Sequence, residues 1–465
     1  MSSQPAVALP GPRFAPIMGA QVAMMHFMND PISFMMHLYH NHGNVAAFDS
    51  SQASNVGVFG AEANQQVLGR SDLFHTLTLP FKAPPDSMLQ RLLISFPIQE
   101  GVIHRTYRNG MQPMFSRQYI NALSHVNMLV SSMLDQWQIG TTKNVCVDFG
   151  ELLLQLTLKL IFEGVSQEEG RALLQDLEHW LNLASNPVSV MLPFATSTLP
   201  YGRLLSLSEK LAARYRRYIA EERAQPGTHK VIRLLLDLQQ ENSQTNDLQL
   251  LGHIHMTLMA TEPTAHLLAW ALFLLAQHPQ VASDLRDEID GKLHGAMPSP
   301  HDLESLPLLQ RVISESLRLM PPAIFLSRVA RAPSYVAGYP IEAGTHVICS
   351  PFVSHRIPEV FVLPNRFMPD RWLNNSVPTY AYIPFGMGVH TCVASHFAQV
   401  IIRMLIAQML QRFTFRIAPN ALIERKIRIS LVPKYGMPLQ LLPRSERFMA
   451  NPVKGNVHEI VALAD

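Results

Sequence analysis

Apolar residues recur at helical spacing over most of the chain from about residue 60 to about residue 290. Residues 149–161, 205–224 and 247–277 each predict a helix with a long apolar face, because side chains three and four positions apart lie together. Residues 267–276 are apolar on nearly every side. This helix is therefore expected to run through the centre of the protein.

Short segments of β type flank the helical region. Residues 45–48 and 56–59 precede it, and segments between 335 and 350 and between 427 and 442 follow it, punctuated by Gly and Pro. The chain has no internal repeat and no convincing linker. We predict a mainly α fold with a small β portion (α+β), divided into a Pro-rich N-terminal arm (1–29), a single domain (30–443) and a mobile C-terminal tail (444–465).

Composition narrows the class of protein. Charged residues make up 15% of the 465 positions, against about 25% in an average protein, and apolar residues make up 48%. These values exclude a disordered chain and a coiled coil. The net charge of +2 gives no reason to propose a nucleic acid partner. Cys146, Cys349 and Cys392 are too few for a disulfide framework, which predicts a reducing, cytoplasmic location.

No segment has the features of a signal peptide or a membrane anchor. Four prolines, at positions 5, 10, 12 and 16, stand where a signal peptide needs an apolar helix. No uninterrupted apolar run approaches the roughly 20 residues that cross a bilayer, so we expect a soluble protein without a transmembrane anchor. The apolar loop at 188–194 is interpreted as a lid over an internal pocket, with contact to a membrane surface as the alternative.

A long irregular stretch, residues 364–389, leads to the third cysteine. Loops longer than about 15 residues inside a domain are usually functional. Gly386 and Gly388 allow positive φ angles and a close approach of the backbone to a flat ligand. Cys392 falls at the start of an amphipathic helix, where backbone N–H groups favour the thiolate. Such a thiolate is a metal ligand or a nucleophile, and nothing around His390 resembles a protease or transferase signature.

The segment from Phe385 to Cys392, with sequence FGMGVHTC, resembles the heme-binding loop of the cytochrome P450 family, whose pattern is F-x-x-G-x-x-x-C followed by x-G or x-A. The positions in register are Phe385, Gly386, Gly388, His390, Cys392 and Ala394. The resemblance implies the cytochrome P450 fold, with heme b held between the I helix and the cysteine loop with its L helix. It also implies that Cys392 ligates the iron, and that Phe385, Gly386 and His390 bind the cofactor. A thiolate ligand favours O–O cleavage.

Two further segments follow the family order. Residues 306–322 are similar to the family's K helix, and Glu315 and Arg318 in its E-x-x-R pattern share a helix face and can pair. Residues 361–372 are similar to the P-E-R-F segment. By that resemblance Arg366 completes a Glu–Arg–Arg network behind the heme, which is a structural role.

Heme carries two propionates, which need cationic partners when they are partly buried. The resemblance supplies them at three places. His104 and Arg108 match the C-helix pair, Arg328 matches the arginine after the K helix, and His390 lies in the cysteine loop. His253 and His255, in contrast, lack a metal-site spacing.

The I helix departs from the family pattern of an acid followed by an alcohol. The matching residues are Glu262 and Pro263, and proline cannot donate a hydrogen bond. A proline inside a helix frees the carbonyl four residues before it, so Pro263 is expected to distort the helix. Proton delivery then falls to Glu262, Thr264 or ordered water. Alternatively, the enzyme uses a peroxide or rearranges one and needs no such delivery.

The resemblance implies a monooxygenase that inserts one oxygen atom of O2 into a lipophilic small molecule of terpenoid, steroid, fatty-acyl or polyketide type. The alternatives are peroxide-dependent chemistry and, more weakly, heme binding without turnover. Electrons are expected from a separate ferredoxin or flavin reductase, with Arg105 and Arg403 as candidate contacts. By family position, the pocket wall consists of residues 74–81, 258–259, 323–326 and 435–437.

Overall fold

The computed structural model describes residues 8–14, 19–76, 83–95, 97–116, 124–161, 164–241, 246–374, 376–428 and 430–463. Its helices are α1 (Gly19–Asn29), α2 (Pro31–His42), α3 (Ala61–Leu68), α4 (Met88–Leu93), α5 (Gly101–Met111), α6 (Ser124–Asp135), α7 (Val145–Ile161), α8 (Gln167–Ala184), α9 (Pro187–Met191), α10 (Pro200–Ala224), α11 (Lys230–Glu241), α12 (Asp247–Met259), α13 (Glu262–Gln277), α14 (Pro279–Leu293), α15 (Pro307–Leu319), α16 (Pro351–Ser354) and α17 (Ser395–Arg412). Helix dominates, which confirms the predicted fold class.

The strands are short and form small sheets. They are β1 (Val45–Ala47), β2 (Asn55–Val58), β3 (Phe74–Thr76), β4 (Thr142–Asn144), β5 (Leu326–Ala330), β6 (Ser334–Val336), β7 (Tyr339–Ile341), β8 (His346–Cys349), β9 (Phe413–Ile417), β10 (Arg425–Ile427), β11 (Leu431–Pro433) and β12 (Pro438–Pro443). The sheet orders are β1-β2-β8-β5-β3, β4-β12-β9, β6-β7 and β10-β11. Only the β2–β8 pairing is parallel among the described strands. The antiparallel β5–β8 pairing places Arg328 opposite Val347.

Helix α13 runs through the core as the pattern predicts. Every side chain from Leu267 to Gln277 is buried, and the helix packs against α7, α15, β9 and α14. A helix that is apolar all round gains by burial on every side, because each fully buried Leu or Phe contributes roughly 1.5–3 kcal/mol. The apolar run therefore places this helix in the centre of the core.

The proline at position 263 interrupts the central helix. Helix α12 ends at Met259 and α13 begins at Glu262, so Pro263 occupies the second position of the new helix. Proline is tolerated there because the first N–H groups of a helix have no intrahelical partner. If α12 and α13 are taken as one helix, Asp247–Gln277 is long and apolar enough to span a membrane, which we did not predict from the sequence. However, 67% of its most apolar window is buried inside the protein, as in the core helix of a globular domain.

Glu315 and Arg318 form a buried pair on α15, and both side chains are 0% exposed. Arg318 donates to both carboxylate oxygens of Glu315 at 2.8 Å. Its remaining N–H groups donate to the carbonyls of His355, Pro364 and Arg366, so the donors of the guanidinium are fully used. A buried ion pair persists only when every remaining hydrogen-bonding position is satisfied in this way.

The expected role of the Arg366 side chain is wrong. That side chain is exposed, and only its backbone carbonyl reaches the pair. Arg371 takes the place of the second arginine, with Nε 3.3 Å from Glu315 Oε1, and Trp372 Nε1 donates to Oε2 at 3.0 Å. The short 3₁₀ helix at Pro369–Trp372 turns both side chains toward α15, which residue spacing alone does not indicate.

Both ends of the described chain pack onto the core. Residues 19–29 of the expected arm form α1, in which Ala23 and Phe27 are buried. The expectation of a mobile tail is wrong for residues 444–463. Val457 and Ile460 are buried there, and Arg356 Nη2 donates to the carbonyl of Ile460 at 3.0 Å. The domain boundaries at residues 30 and 443 remain predictions.

Replacing Glu315 with Gln is expected to lower the free energy of unfolding by about 3–5 kcal/mol, because it leaves the buried Arg318 cation uncompensated. Equilibrium urea unfolding measures the change. The control Glu151→Gln removes the same charge from the half-exposed pair with Arg171, and is expected to change little. Equal effects of the two substitutions would contradict a structural role for the buried pair.

Candidate active site

The cysteine loop is held closed by hydrogen bonds of its own backbone. Gly386 and Gly388 adopt φ angles of +72° and +77°, which favour glycine. The N–H of Cys392 donates to the carbonyl of Phe385 at 2.9 Å, closing the turn. From α5, Arg108 Nη1 donates to the carbonyl of Thr391 at 2.6 Å. The sulfur is thereby positioned by backbone contacts on both sides of the loop.

Of the two glycines, Gly388 has the tighter steric requirement. A Cβ at this position would lie 2.2 Å from the carbonyl oxygen of Leu68, whereas a Cβ at Gly386 would meet nothing nearer than 3.7 Å. The sequence resemblance placed Gly386 among the cofactor-binding residues. In the structure Gly386 contributes its backbone angle, and Gly388 allows the loop to pack against the end of α3.

The Cys392 side chain is accessible although protein surrounds it. Burial raises the pKa of its thiol, and the opposing effects of the Ala394 N–H and of the Arg108 charge do not cancel that increase. A side chain can be both accessible and surrounded by protein when it lies on the wall of an interior cavity. The structure therefore differs from the expected helix-end effect: α17 begins only at Ser395, three residues beyond the sulfur. An iron ion would itself deprotonate the thiol.

Three other predicted cations gather around His390. The rings of His104 and His390 lie 4.4 Å apart between centroids. Burial, followed by the nearby positive charges of His104, Arg328 and Arg108, lowers the pKa of His390 to about 4. Burial likewise lowers the pKa of His104. Both imidazoles are therefore neutral hydrogen-bonding groups at neutral pH, and the two arginines supply the positive charge.

The two arginines and the two neutral imidazoles are suited to an anionic ligand. Buried His104 Nε2 and His390 Nδ1 have no hydrogen-bond partner among the described residues. Arg328 is 6% exposed and donates only to the carbonyl of Ser327 in the described structure. Across the described residues, no carboxylate pairs with Arg108 or Arg328. A buried cation without a counterion is costly, so the arrangement fits the two propionates of heme, with the Cys392 sulfur available to its iron.

Glu262 lies at the first position of α13, beside the interruption of the central helix. Its Oε2 accepts a hydrogen bond from Ser430 Oγ at 2.6 Å, and His266 Nδ1 lies 3.3 Å from Oε1. Burial by itself would raise the pKa of Glu262, but the hydrogen bonds and charges of His266, Ser430 and Arg428 outweigh it and hold the pKa below its usual range. Glu262 is thus an ionised carboxylate at neutral pH.

Thr264 is partly exposed in the first turn of α13, and its N–H donates to the carbonyl of Thr261 at 3.2 Å. The hydrogen bonds of the described structure link it to neither Glu262 nor the cysteine loop. Ser430 and His266 are the residues that the sequence reasoning missed. The position of His266 one turn after Glu262 was a usable signal, whereas Ser430 is 168 positions away and no local pattern indicates it.

Several peripheral expectations are corrected. Arg403 is buried, which does not suit a contact to a protein partner, while Arg105 is exposed. Tyr435 is 57% exposed and Met437 lies in the core, so residues 435–437 do not form a pocket wall. The turn between β10 and β11 reaches Glu262 instead. Of the expected wall at 74–81, residues 77–81 lie outside the described residues.

Leu326 supports another part of the expected wall, because its Cδ1 would lie 3.9 Å from a Cβ placed at Gly386. In the described ranges, no group of three or more His, Cys, Asp or Glu side chains could hold a metal ion. A single accessible cysteine in a loop that also carries His390, next to arginines without carboxylate partners in the described structure, therefore defines the site, and this combination is typical of a heme-thiolate protein.

Comparisons with known proteins agree with this class. The family model for cytochrome P450 matches residues 9–437. Cyclooctat-9-en-7-ol 5-monooxygenase of Streptomyces melanosporofaciens is 29% identical over 354 residues, covering 72% of this chain and 75% of that protein. Pentalenene oxygenase of Streptomyces avermitilis is 26% identical over 434 residues, covering 90% of this chain and 94% of that protein.

A solved structure, retinoic acid bound cyanobacterial CYP120A1, matches the fold with a TM-score of 0.81 at 20% identity, over 95% of this chain and 100% of that chain. The chain therefore belongs to the cytochrome P450 family. It is a monooxygenase whose cofactor is a thiolate-ligated heme, and its reaction requires O2, a substrate and a source of electrons.

Replacing Cys392 with His is expected to keep some heme while abolishing oxygenation, since imidazole lacks the electron donation of a thiolate. The absorption spectrum of the reduced carbon monoxide complex reports the ligand directly. The controls Cys146→Ser and Cys349→Ser are expected to keep the thiolate spectrum. A thiolate spectrum in the Cys392 variant would show that another residue ligates the iron.

The substitution Gly388→Ala is expected to reduce heme occupancy, because the new Cβ meets the Leu68 carbonyl and distorts the cysteine loop. The matched control is Gly344→Ala, which has a similar φ of +83° but nothing within 4 Å of the added Cβ. The control incurs only the backbone cost of roughly 1–2 kcal/mol. Heme content per protein, measured by absorbance, separates the two; equal losses would refute the steric explanation.

Proposed function

We propose that this cytochrome P450 oxidises a cyclic terpenoid or a similar lipophilic skeleton, inserting one oxygen atom of O2. The observation that carries the reaction type is the accessible Cys392 sulfur, surrounded by protein, in a loop contacted by Arg108 and close to Arg328, two arginines that no carboxylate of the described residues pairs with. Two relatives are named for the oxidation of cyclooctat-9-en-7-ol and pentalenene, which supports the terpenoid class over steroids, fatty acids and polyketides.

Heme bound through the Cys392 thiolate would supply the activation of O2. In this proposal His104, Arg108, Arg328 and His390 hold the propionates, with the arginines balancing charge and the imidazoles completing hydrogen bonds. Phe385 supports the loop through its carbonyl, which accepts the Cys392 N–H. Gly386 gives the backbone the positive φ angle that turns the loop toward the cofactor.

On the substrate side, the proposal places apolar side chains that are only partly buried around the helix interruption and the start of β5. Met259, Phe325 and Leu326 are of this kind. Binding pockets for small molecules are mostly apolar with a few polar groups that set orientation. Such a wall would bind a hydrocarbon skeleton and leave Glu262 and Thr264 as the polar groups near the reacting centre.

The alternative is peroxide-dependent chemistry, and Pro263 is the observation that favours it. Proline offers neither a hydroxyl nor an N–H at the position of the usual alcohol. Against this stands the ionised carboxylate of Glu262, which retains the acid of the family pattern and has partners on both oxygens. We therefore place O2-dependent oxygenation first and peroxide chemistry second, with heme binding without turnover as the weakest candidate.

Electrons are proposed to come from a separate ferredoxin or flavin reductase. Arg105 is an exposed cation on α5, the helix that also carries His104 and Arg108. A docked acidic protein at this position would lie close to the proposed propionate side of the cofactor. The electron donor, like the substrate class, is proposed here.

A spectral binding screen tests the substrate class. Cyclic terpene hydrocarbons and alcohols are expected to drive the heme iron to high spin, whereas steroids and fatty acids of similar size produce smaller shifts. Turnover of the best binder is then compared with electrons from a reduced donor protein and with hydrogen peroxide alone. The Cys392→His variant provides the background rate. Full-rate product formation with peroxide alone, and none with reduced donor, would overturn the proposal.

A further inference from the structure

Five polar side chains from three elements converge where the central helix is interrupted. Glu262 and His266 lie one turn apart at the start of α13, and Arg428 and Ser430 lie between β10 and β11. Cys146, from the first turn of α7, is close enough for the Glu262 charge to act on its thiol. These polar groups lie beside a helix that is otherwise apolar. We therefore ask which function their arrangement supports.

The two oxygens of this carboxylate have different contacts: Oε2 accepts a hydrogen bond, whereas Oε1 has an ion-pair contact that does not meet hydrogen-bond geometry among the described residues. Ser430 Oγ donates to Glu262 Oε2 at 2.6 Å, and His266 Nδ1 lies 3.3 Å from Oε1. Ser430 is itself fixed, because its neighbour Leu431 accepts a hydrogen bond from Trp270 Nε1 of α13 at 3.0 Å. The hairpin is thereby held against α13 directly beside the serine, within reach of Glu262.

The charges around this carboxylate keep it ionised. His266 on its own helix and Arg428 on the hairpin favour the carboxylate, and together with the Ser430 hydrogen bond they outweigh burial, so that the pKa of Glu262 is lowered. The group that faces it from α7 is Cys146, whose pKa burial raises to about 12, so that it remains a neutral thiol. Glu262 is therefore ionised at neutral pH and has a free site for a proton, and its lowered pKa favours the release of that proton after it has bound.

The position of His266 connects this carboxylate to a less buried region. The side chains of Glu262 and His266 are each 12% exposed, whereas every side chain from Leu267 onward on α13 is buried. Ala260 lies in the interruption between α12 and α13, and it is exposed. The imidazole is thus partly exposed near the interruption of the helix, while its Nδ1 is buried on the side of the carboxylate.

We propose that His266 passes protons to Glu262 at Oε1, and that Ser430 is a positioning residue that holds Oε2 and orients the carboxylate. This inference rests on the monooxygenase function. One oxygen atom enters the product and the other leaves as water, which consumes a pair of electrons and a pair of protons. In each transfer the proton leaves Nδ1 of the imidazolium and binds Oε1, Glu262 then releases it to the oxygen atom that leaves as water, and the neutral imidazole takes up a new proton from solvent water. His266 thus supplies a proton donor, which Pro263 cannot be.

A purely structural role is the competing explanation. An acid in the first turn stabilises a helix through the helix dipole, and a histidine four residues later can pair with it. That role predicts effects on stability only. A relay predicts in addition that the fraction of electrons recovered in product depends on His266, because unprotonated oxygen species otherwise decay without reaching the substrate.

The test compares His266→Gln, Ser430→Ala and Ser430→Thr in the full-length, heme-loaded enzyme. The His266 variant is expected to lower product formed per electron pair about tenfold and to flatten its pH profile. The Ser430→Ala variant is expected to lower the same ratio, and Ser430→Thr to restore it because the hydroxyl returns. Infrared difference spectra, with Glu262→Gln to assign the carboxyl band, should show the protonated acid at higher pH in Ser430→Ala than in the parent.

The matched control is His278→Gln, a histidine at the far end of α13, about 20 Å along the helix. It is expected to leave the product ratio unchanged. Equal product ratios and pH profiles in His266→Gln and the parent would overturn the relay, as would an unchanged carboxyl band in Ser430→Ala. A parent enzyme that forms no product with electrons from a donor would instead refute the proposed function. The carbon monoxide spectrum of every variant verifies that the thiolate ligand is intact.

Discussion

The architecture around the cysteine depends on one buried charge. Glu315 accepts hydrogen bonds from Arg318, from Trp372 and from the N–H of Met368, and Arg371 lies beside it. A carboxylate without water must be satisfied by protein donors, so the chain around residue 370 has little freedom in its path. The hydrogen bonds that satisfy Glu315 on α15 consequently determine the path of the irregular stretch before Cys392.

The constraint reaches the cysteine loop through His355. The Arg318 side chain donates to the carbonyl of His355, and His355 Nε2 accepts the N–H of Ile383 at 2.8 Å. Phe385, whose carbonyl receives the N–H of Cys392, follows two residues later. The series consists of three hydrogen bonds joined by short covalent segments, and breaking a bond between its buried members leaves a polar group unsatisfied. The position of the sulfur is therefore coupled to α15 although the two are far apart in sequence.

Local patterns predicted the parts of the structure that local chemistry decides. The all-round apolar helix, the glycines of the cysteine loop and the Glu315–Arg318 pair depend on residues within a few positions of each other, and the structure contains all three. Partners that are distant in sequence were not predictable: choosing Arg371 over Arg366 requires the path of the chain. The packed tail was not predictable either, because Val453, Val457 and Ile460 are buried from a mostly irregular segment with one short 3₁₀ helix, for which no periodic pattern exists.

The interruption at Pro263 places a charge where an unbroken helix would not. In a continuous helix, residue 262 would lie in mid-helix, where the N–H groups are already bonded and the dipole offers an acid little stabilisation. Because α13 starts anew at Glu262, the carboxylate occupies a helix N-terminus and the following turn brings His266 beside it. The same proline that removes the alcohol thus creates the electrostatic setting for the acid. Pro263 thus removes the hydroxyl of the usual alcohol, while the new helix start stabilises the acid that the family pattern already places at position 262.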